Sequence, residues 1–176
     1  MTSRLAVLAL ATLVALPAAA QPHTPPASLS QDEMHGLMMG QGMGLARAAE
    51  MQGFPGPKHV LELADSLALS DDQRRTAEAL MARVQAEARA LGARIVGVEA
   101  HLSEMFEADE VDRHHVEGAA HESARLHARL RLVHLAAHLD MRQALTAEQA
   151  ARYHALRHGP DASSGGGPGG RHGDGH

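Results

Sequence analysis

Two long stretches of the chain place apolar residues at alternating steps of three and four positions, which is the spacing of one buried helix face. Over residues 71–107 this stripe consists of Ala77, Met81, Val84, Ala88, Leu91, Ile95, Val98, Leu102 and Met105. Over residues 112–144 it consists of Val116, Ala119, Ser123, Leu126, Leu130, Val133 and Ala137. Only a short polar turn separates the two stretches, so the pattern predicts an antiparallel hairpin of two long helices.

Two shorter helices are predicted next to this hairpin. A break rich in Gly and Pro over residues 53–57 precedes the first, which we expect over residues 58–67. The second begins after Thr146, which forms a capping-box pattern with Gln149, and it ends near residue 158. Long helices depend on tertiary packing for most of their stability. We therefore expect an all-α fold in which the two short helices clasp the hairpin and two protomers form a dimer.

The N-terminus has the three parts of a secretory signal peptide. Arg4 supplies a positive charge, residues 5–16 are uninterruptedly apolar, and Ala18 to Ala20 are small residues suited to cleavage. The apolar run is shorter than the roughly 20 residues that span a bilayer, and no later segment has enough apolar residues to span one. We therefore predict cleavage after Ala20 and a periplasmic protein, with an uncleaved membrane anchor as the alternative.

These boundaries divide the chain into four parts. Residues 1–20 form the predicted signal peptide, and residues 21–57, which are rich in Met, Gly and Pro, are expected to be flexible. Residues 58–158 hold the four-helix domain. Residues 159–176 are expected to be a disordered tail rich in Gly and His.

The composition excludes several classes of function. The chain has a net charge of −5, no cysteine, no tryptophan, two phenylalanines and one tyrosine. It therefore lacks the basic stripe and stacking aromatics of a nucleic-acid-binding protein, as well as thiolate ligands and disulfides. It also lacks HExxH, GxSxG and Gly-rich phosphate-loop motifs, so we predict that it is not an enzyme. Histidine and methionine are abundant instead, at 14 and 9 residues.

The capping boxes at the two ends of the hairpin carry a family resemblance. Leu69-Ser70-Asp71-Asp72-Gln73 stands before the first long helix, and Leu145-Thr146-Ala147-Glu148-Gln149 stands after the second. This pair resembles the twin LTxxQ motifs of the periplasmic CpxP/Spy family and its relatives, the zinc-linked ZraP and the metal sensor CnrX. The resemblance implies a four-helix protomer and a cradle-like dimer. It also implies either an ATP-independent chaperone for unfolded envelope proteins or a metal-binding regulator.

The resemblance further implies metal ligands near the end of the second long helix. In the metal-sensing branch a His and a Met stand one turn apart there, and an HxxxH pair precedes the first LTxxQ motif. Met141 matches this pattern, but alanine replaces the histidine one turn before it, with His134 and His138 on either side. Ahead of the first motif the chain has only His59 and Glu62. We treat all five residues as candidate ligands in an altered site.

Spacing independently favours chelation on the second long helix. His134 and His138 are four residues apart, so their imidazoles can reach one ion. Met141 and His127 fall on the same stripe, which we expect beside the apolar stripe rather than in it. A further ligand would come from a short helix or from a second protomer. Imidazole with thioether suits Zn, Cu, Ni or Co, and the alternative is a solvated face rich in histidine.

A second candidate metal site lies in the N-terminal segment. Over residues 34–43, four thioethers and one imidazole occur at Met34, His35, Met38, Met39 and Met43. Thioethers favour soft ions, so the segment is typical of an extracytoplasmic tract that binds Cu(I) or Ag(I). The alternative is packing of methionine into an apolar groove, although the neighbouring glycines favour flexibility.

Two functions follow from these patterns. The first is a periplasmic metal-binding accessory or sensor protein in a heavy-metal or envelope-stress response. Its ligand would be divalent Zn, Cu, Ni or Co, or Cu(I), and its partner a membrane sensor protein. The second is a chaperone or stress adaptor of the CpxP/Spy type without a specific metal, with unfolded envelope proteins as clients. A helical dimer without a ligand is a third hypothesis, and each version is expected to be a homodimer that binds no nucleic acid.

Overall fold

The structure is a computed structural model that describes residues 26–108 and 111–159. Within these ranges every regular element is an α-helix. The helices are α1 (Gln31–Met39), α2 (Arg47–Met51), α3 (Pro57–Glu62), α4 (Asp71–Glu107), α5 (Arg113–Ala144) and α6 (Ala147–His158). None of the helices in the described ranges is long and apolar enough to cross a membrane. The predicted signal peptide, and the predicted tail after residue 159, lie outside the described residues.

The hairpin predicted from the apolar spacing is confirmed, because α4 and α5 are long and pack antiparallel. Ser70 is the N-cap of α4 and Asp112 is the N-cap of α5. The side chain of Ser70 accepts one backbone N–H of the first turn, and the side chain of Asp112 accepts two. The buried residues are Ala77, Leu80, Val84, Ala88, Leu91, Gly92 and Ile95 on α4, and Leu126, Leu130, His134, Ala137 and Met141 on α5.

The buried stripe differs from the predicted stripe on both helices. On α4 it passes through Leu80 rather than Met81 and ends at Ile95, and the apolar residues predicted between positions 98 and 105 are only half-buried. On α5 it begins at Leu126, since the predicted positions 116, 119 and 123 are only half-buried. His134 and Met141 lie in this buried stripe, although they were predicted to lie beside it. An α-helix has 3.6 residues per turn, so its inward face drifts from a strict seven-residue repeat. After Leu130 the inward face therefore passes through position 134 rather than 133.

Residues 31–39, which were expected to be flexible, form helix α1, and the structure corrects that expectation. Ser30 and Glu33 make a capping box: the Glu33 N–H donates to Oγ of Ser30 at 3.2 Å, and the Ser30 N–H donates to the Glu33 carboxylate at 2.9 Å. Leu37 is buried in a cluster with residues of α4 and α5. Gly92 of α4 allows this close approach, because a Cβ there would lie 2.0 Å from the Leu37 carbonyl oxygen. Capping and tertiary contact thus outweigh the Gly-rich composition.

Helices α3 and α6 pack where α4 begins and α5 ends. Helix α3 is shorter than predicted, because it ends at Glu62 and the chain continues in turns to residue 68. One buried cluster joins these elements, and it consists of Val60, Leu67, Ala77, Leu80, Met141, Leu145 and Tyr153. The aromatic ring of Tyr153 gives α6 its main apolar contact with the hairpin, since this side chain is fully buried.

A pair of glutamines connects the starts of α4 and α6. The side-chain oxygens of Gln73 and Gln149 each accept the backbone N–H of their own cap residue, at 3.0 Å in both cases. The two amides also bond each other, because Gln73 Nε2 lies 2.7 Å from Gln149 Oε1 and Gln149 Nε2 lies 3.0 Å from Gln73 Oε1. Gln73 donates further to the Ala144 carbonyl, and Gln149 to the Leu67 carbonyl. The twin motifs therefore begin two helices and also hold them together.

Candidate functional site

A cavity of about 660 Å³ lies between the hairpin and the segments that precede it in the chain. Helix α5, the middle of α4, the start of α3 and the loop over residues 40–46 all contribute to its walls. The cavity brings together three imidazoles and three thioethers, which belong to His59, His134, His138, Met39, Met43 and Met81. Five of these six residues were candidate ligands in the sequence analysis, where they were divided between two separate sites.

His134 is the most enclosed of the three imidazoles. It is 8% exposed, and among the described residues its buried Nε2 has no hydrogen-bond partner. Burial, together with the neighbouring His138, holds the pKa of the His134 imidazole below its ordinary value. The neutral form of the ring, which keeps a lone pair, is therefore favoured at pH 7. An unpaired polar atom of this kind is rare in a protein interior and indicates a role such as binding a water molecule or an ion.

His138 has a defined tautomer. Its Nδ1 lies 2.7 Å from the carbonyl oxygen of Phe54, and because a carbonyl only accepts, Nδ1 carries the proton and donates. The lone pair of His138 is thus on Nε2. A histidine that binds a metal typically donates its other ring N–H to a carbonyl or carboxylate in this way. Gly56 leaves space beside the ring, since a Cβ on Gly56 would lie 2.8 Å from Nε2 of His138.

His59 has different surroundings, because both of its ring nitrogens face carboxylates. Nδ1 lies 2.8 Å from the Glu62 carboxylate, and Nε2 lies 3.7 Å from the Glu50 carboxylate. Glu50 also accepts hydrogen bonds from the Tyr153 hydroxyl and from Arg157, each at 3.2 Å. Burial by itself would raise the pKa of Glu50, but His59, Arg157 and Tyr153 together lower it below its ordinary value. His59 therefore belongs to a polar cluster that links α2, α3 and α6.

Two of the three thioethers, those of Met39 and Met43, line the side of the cavity that the N-terminal segment forms. Met39 is 42% exposed and Met43 is 46% exposed, whereas Met81 of α4 is half-buried. The loop that carries Met43 has a tight backbone: φ is positive at Gly40, Met43 and Gly44. A positive φ at a non-glycine residue such as Met43 is uncommon, and the surrounding structure has to maintain it.

The structure leaves the other predicted ligands outside this cavity. Met141 is fully buried in the apolar cluster, and exposed His127 has its Nδ1 3.0 Å from the Ser123 carbonyl. Met34, His35 and Met38 do not line the cavity, and Glu62 reaches it only through His59. Throughout residues 26–108 and 111–159, no group of three or more His, Asp or Glu side chains is placed to hold a metal ion.

Sequence reasoning missed two residues of the cavity wall. Met81 was assigned to the buried stripe, but Leu80 takes the buried position and Met81 turns partly toward the cavity. Glu50 stood in the segment expected to be flexible, and it lines the cavity from α2. The sequence of residues 44–51 is compatible with one or two helical turns, and α2 forms over its second half, at Arg47–Met51.

A comparison with family models places most of the described chain in one family. The model of the LTXXQ motif family protein matches residues 56–157. No curated protein and no solved structure matches the chain. The matched range includes both glutamine motifs, His134 and His138. Helix α1, which ends at Met39, and the loop with Met43 precede it, so two of the three thioethers of the cavity come from outside the family region.

Proposed function

Since this chain belongs to the LTXXQ motif family, we propose that it is a periplasmic accessory or sensor protein that binds a transition metal in a heavy-metal or envelope-stress response. The family is CpxP/Spy-like, typically periplasmic, and generally non-enzymatic. Family membership is consistent with a stress response. The proposal of a bound metal goes beyond family membership, and it rests on the imidazoles of the cavity.

The pair His134 and His138 is the observation that carries this proposal. The two residues are one helical turn apart on α5 and line the same cavity. One imidazole is buried, neutral and unpaired at Nε2 within the described chain, and the other is oriented by a backbone carbonyl. Burying an unpaired polar nitrogen costs about 1–3 kcal/mol. A bound cation would offset that cost and use both lone pairs.

Calorimetric titration tests the proposal. The exported protein is titrated with Zn(II), Cu(II), Ni(II), Co(II) and, anaerobically, Cu(I), and His134→Ala/His138→Ala is titrated beside it. A matched control is His154→Ala/His158→Ala on α6. These histidines have the same spacing, with ring centroids 5.0 Å apart, and Nε2 of His158 is also buried without a partner among the described residues, but neither histidine lines the cavity. We expect binding with a Kd of about 1 μM or lower, lost in the first double variant and kept in the second.

Two results would contradict this assignment. Loss of binding in the α6 control alone would move the site to that helix. Absence of binding for every metal, including Cu(I), would remove metal handling from the proposal and leave family membership as its basis.

A chaperone or stress adaptor of the CpxP/Spy type is the second candidate, and an exposed apolar stripe favours it. Leu132 and Leu139 are 63% and 51% exposed and lie two turns apart on the outer face of α5. Exposed apolar side chains of this kind can contact unfolded clients. Suppression of client aggregation in the presence of a chelator, weakened by Leu132→Ser/Leu139→Ser, would favour this function. Unchanged aggregation would count against it.

We also propose a homodimer, with a membrane sensor protein as the partner for metal-dependent signalling. The physical reason for the dimer is the limited apolar area that one hairpin buries. Light scattering after gel filtration measures the mass directly, and a monomer at micromolar concentration would refute this part.

A further inference from the structure

We propose that the cavity between α5 and the loop over residues 40–46 selects a soft monovalent cation, Cu(I) or Ag(I), which His134 and His138 bind together with the thioethers of Met39 and Met43. This inference rests on the proposed metal-binding function and names its ligand class. It joins two groups of donors that are far apart in the sequence into one site.

The number and kind of donors in the cavity favour a soft ion. A structural or catalytic zinc site uses at least three protein ligands of the His, Cys, Asp or Glu type. Within the described residues no such group of three exists, so the two imidazoles leave the coordination of a divalent ion incomplete. Thioethers complete it only for a soft ion, because Met ligands select Cu(I) over harder divalent ions. The donor set of this cavity therefore fits Cu(I) or Ag(I) best.

The loop over residues 40–46 passes beside His134. A Cβ on Gly42 would lie 3.6 Å from both Cε1 and Nδ1 of His134, which is ordinary contact distance, so only the missing side chain of Gly42 separates the loop from this imidazole. Met43 is the next residue along the chain and lines the same cavity, with its Sδ against Gly36 of α1. The loop is held by hydrogen bonds from the Gln41 N–H to the Gly36 carbonyl and from the Leu45 N–H to the Gly42 carbonyl. The thioether of Met43 is thus carried by the residue that follows the backbone beside the imidazole.

The charges of the cavity wall also favour a monovalent ion. The wall contains one carboxylate, Glu50, and two cationic side chains, Arg47 and Lys58. A divalent ion would be repelled by these two cations about twice as strongly as a monovalent ion, because Coulomb energy is proportional to charge. Neutral imidazoles and thioethers add no negative charge, so the local balance favours a single positive charge.

Competition with a chromogenic Cu(I) chelator under anaerobic conditions tests the inference on the full exported protein, with Ag(I) as a probe that does not change oxidation state. The variant is Met39→Leu/Met43→Leu, which preserves side-chain volume and apolar character. The matched control is Met34→Leu/Met38→Leu, which removes two thioethers of the same segment that do not line the cavity. Circular dichroism checks that both variants remain helical.

We expect Met39→Leu/Met43→Leu to weaken Cu(I) binding by about tenfold or more, on the scale of lost metal contacts, while Met34→Leu/Met38→Leu changes it by less than about twofold. Zn(II) binding should be unaffected by either variant. Equal losses in both variants would show an unstructured methionine tract and overturn the inference. Divalent binding that depends on His134 and His138 without any Cu(I) binding would also overturn it, yet leave the proposed function intact. No binding of any metal would overturn both.

Discussion

Helix α1 depends on a single glycine of the hairpin, and replacing Gly92 by alanine tests this contact. A Cβ at position 92 would lie 2.0 Å from the carbonyl oxygen and 2.6 Å from the carbonyl carbon of Leu37. Both atoms belong to the backbone, so no side-chain rotation can relieve the overlap. Helix α1 would have to move away from α4 by more than an ångström. Gly97 is the matched control, because it lies on the same helix and a Cβ there has no neighbour within 4 Å.

The two substitutions should change the free energy of unfolding in opposite directions. Alanine in the interior of a helix is worth about 1 kcal/mol more than glycine, so Gly97→Ala should stabilise by about that amount. Gly92→Ala gains the same helix propensity but loses the contact with α1. Leu37 is 3% exposed, and burial of a leucine side chain contributes about 1.5–3 kcal/mol. Overpacking adds about 1–3 kcal/mol. After subtraction of the helix-propensity gain, we therefore expect Gly92→Ala to destabilise by about 1.5–5 kcal/mol.

Urea unfolding followed by circular dichroism measures both values, and hydrogen exchange of the α1 amides shows whether this helix detaches. Faster exchange over residues 34–40 in Gly92→Ala, without change in α4, would locate the effect. If Gly92→Ala stabilised the protein as much as Gly97→Ala, helix α1 would not lie against Gly92 in solution. In that case the loop that follows α1 would also lose its support.

Three further predictions concern the motif, the buried histidine and the polar cluster. Gln149→Glu keeps the capping oxygen but loses the two hydrogen bonds that the Gln149 amide donates, to Leu67 and to Gln73. The free energy of unfolding, measured by urea denaturation at neutral pH, should fall by about 2 kcal/mol. A change below about 0.5 kcal/mol would contradict the glutamine pairing. The pKa of His134 is lowered from 6.5 in the folded state, so the unfolded state takes up the proton first. The free energy of unfolding should therefore fall as pH decreases below about 6.5. His134→Leu should flatten this pH dependence, and an unchanged slope would refute the prediction. Tyr153→Phe removes the hydroxyl that donates to Glu50 and should lower the thermal midpoint, with a loss of about 1 kcal/mol, and an unchanged midpoint would show that this bond is not made.

The hairpin could be predicted because its signals are local. The apolar spacing, the capping box at Ser70 and the short polar turn are each contained in a few residues, and they give helix bounds that agree with α4 and α5 to within one residue. Helix α1 also has a local signal, the capping box of Ser30 and Glu33. The Met- and Gly-rich composition favoured a flexible segment instead, because the contact at Gly92 that stabilises α1 is not visible in the local sequence.

The candidate site was only partly predictable, for a related reason. The spacing of His134 and His138 identified the pair, but a pattern of residue types does not say whether a helix face is buried beside or within the core. Nor does it show that the loop at Gly42 reaches His134, because that contact depends on how α1 is placed on the hairpin. The sequence therefore predicted two candidate sites, whereas the structure brings residues of both to the same cavity.

The glutamine motifs and the cavity are connected through α3. Phe54, whose carbonyl fixes the tautomer of His138, precedes α3 by three residues. Val60 of α3 is fully buried in the same cluster as Leu67 and Tyr153, and Gln149 holds the carbonyl of Leu67. The hydrogen bonds of the LTxxQ motif and this cluster thus position the backbone that faces His138. The motif therefore influences the candidate site through backbone placement, although neither glutamine contacts the histidines.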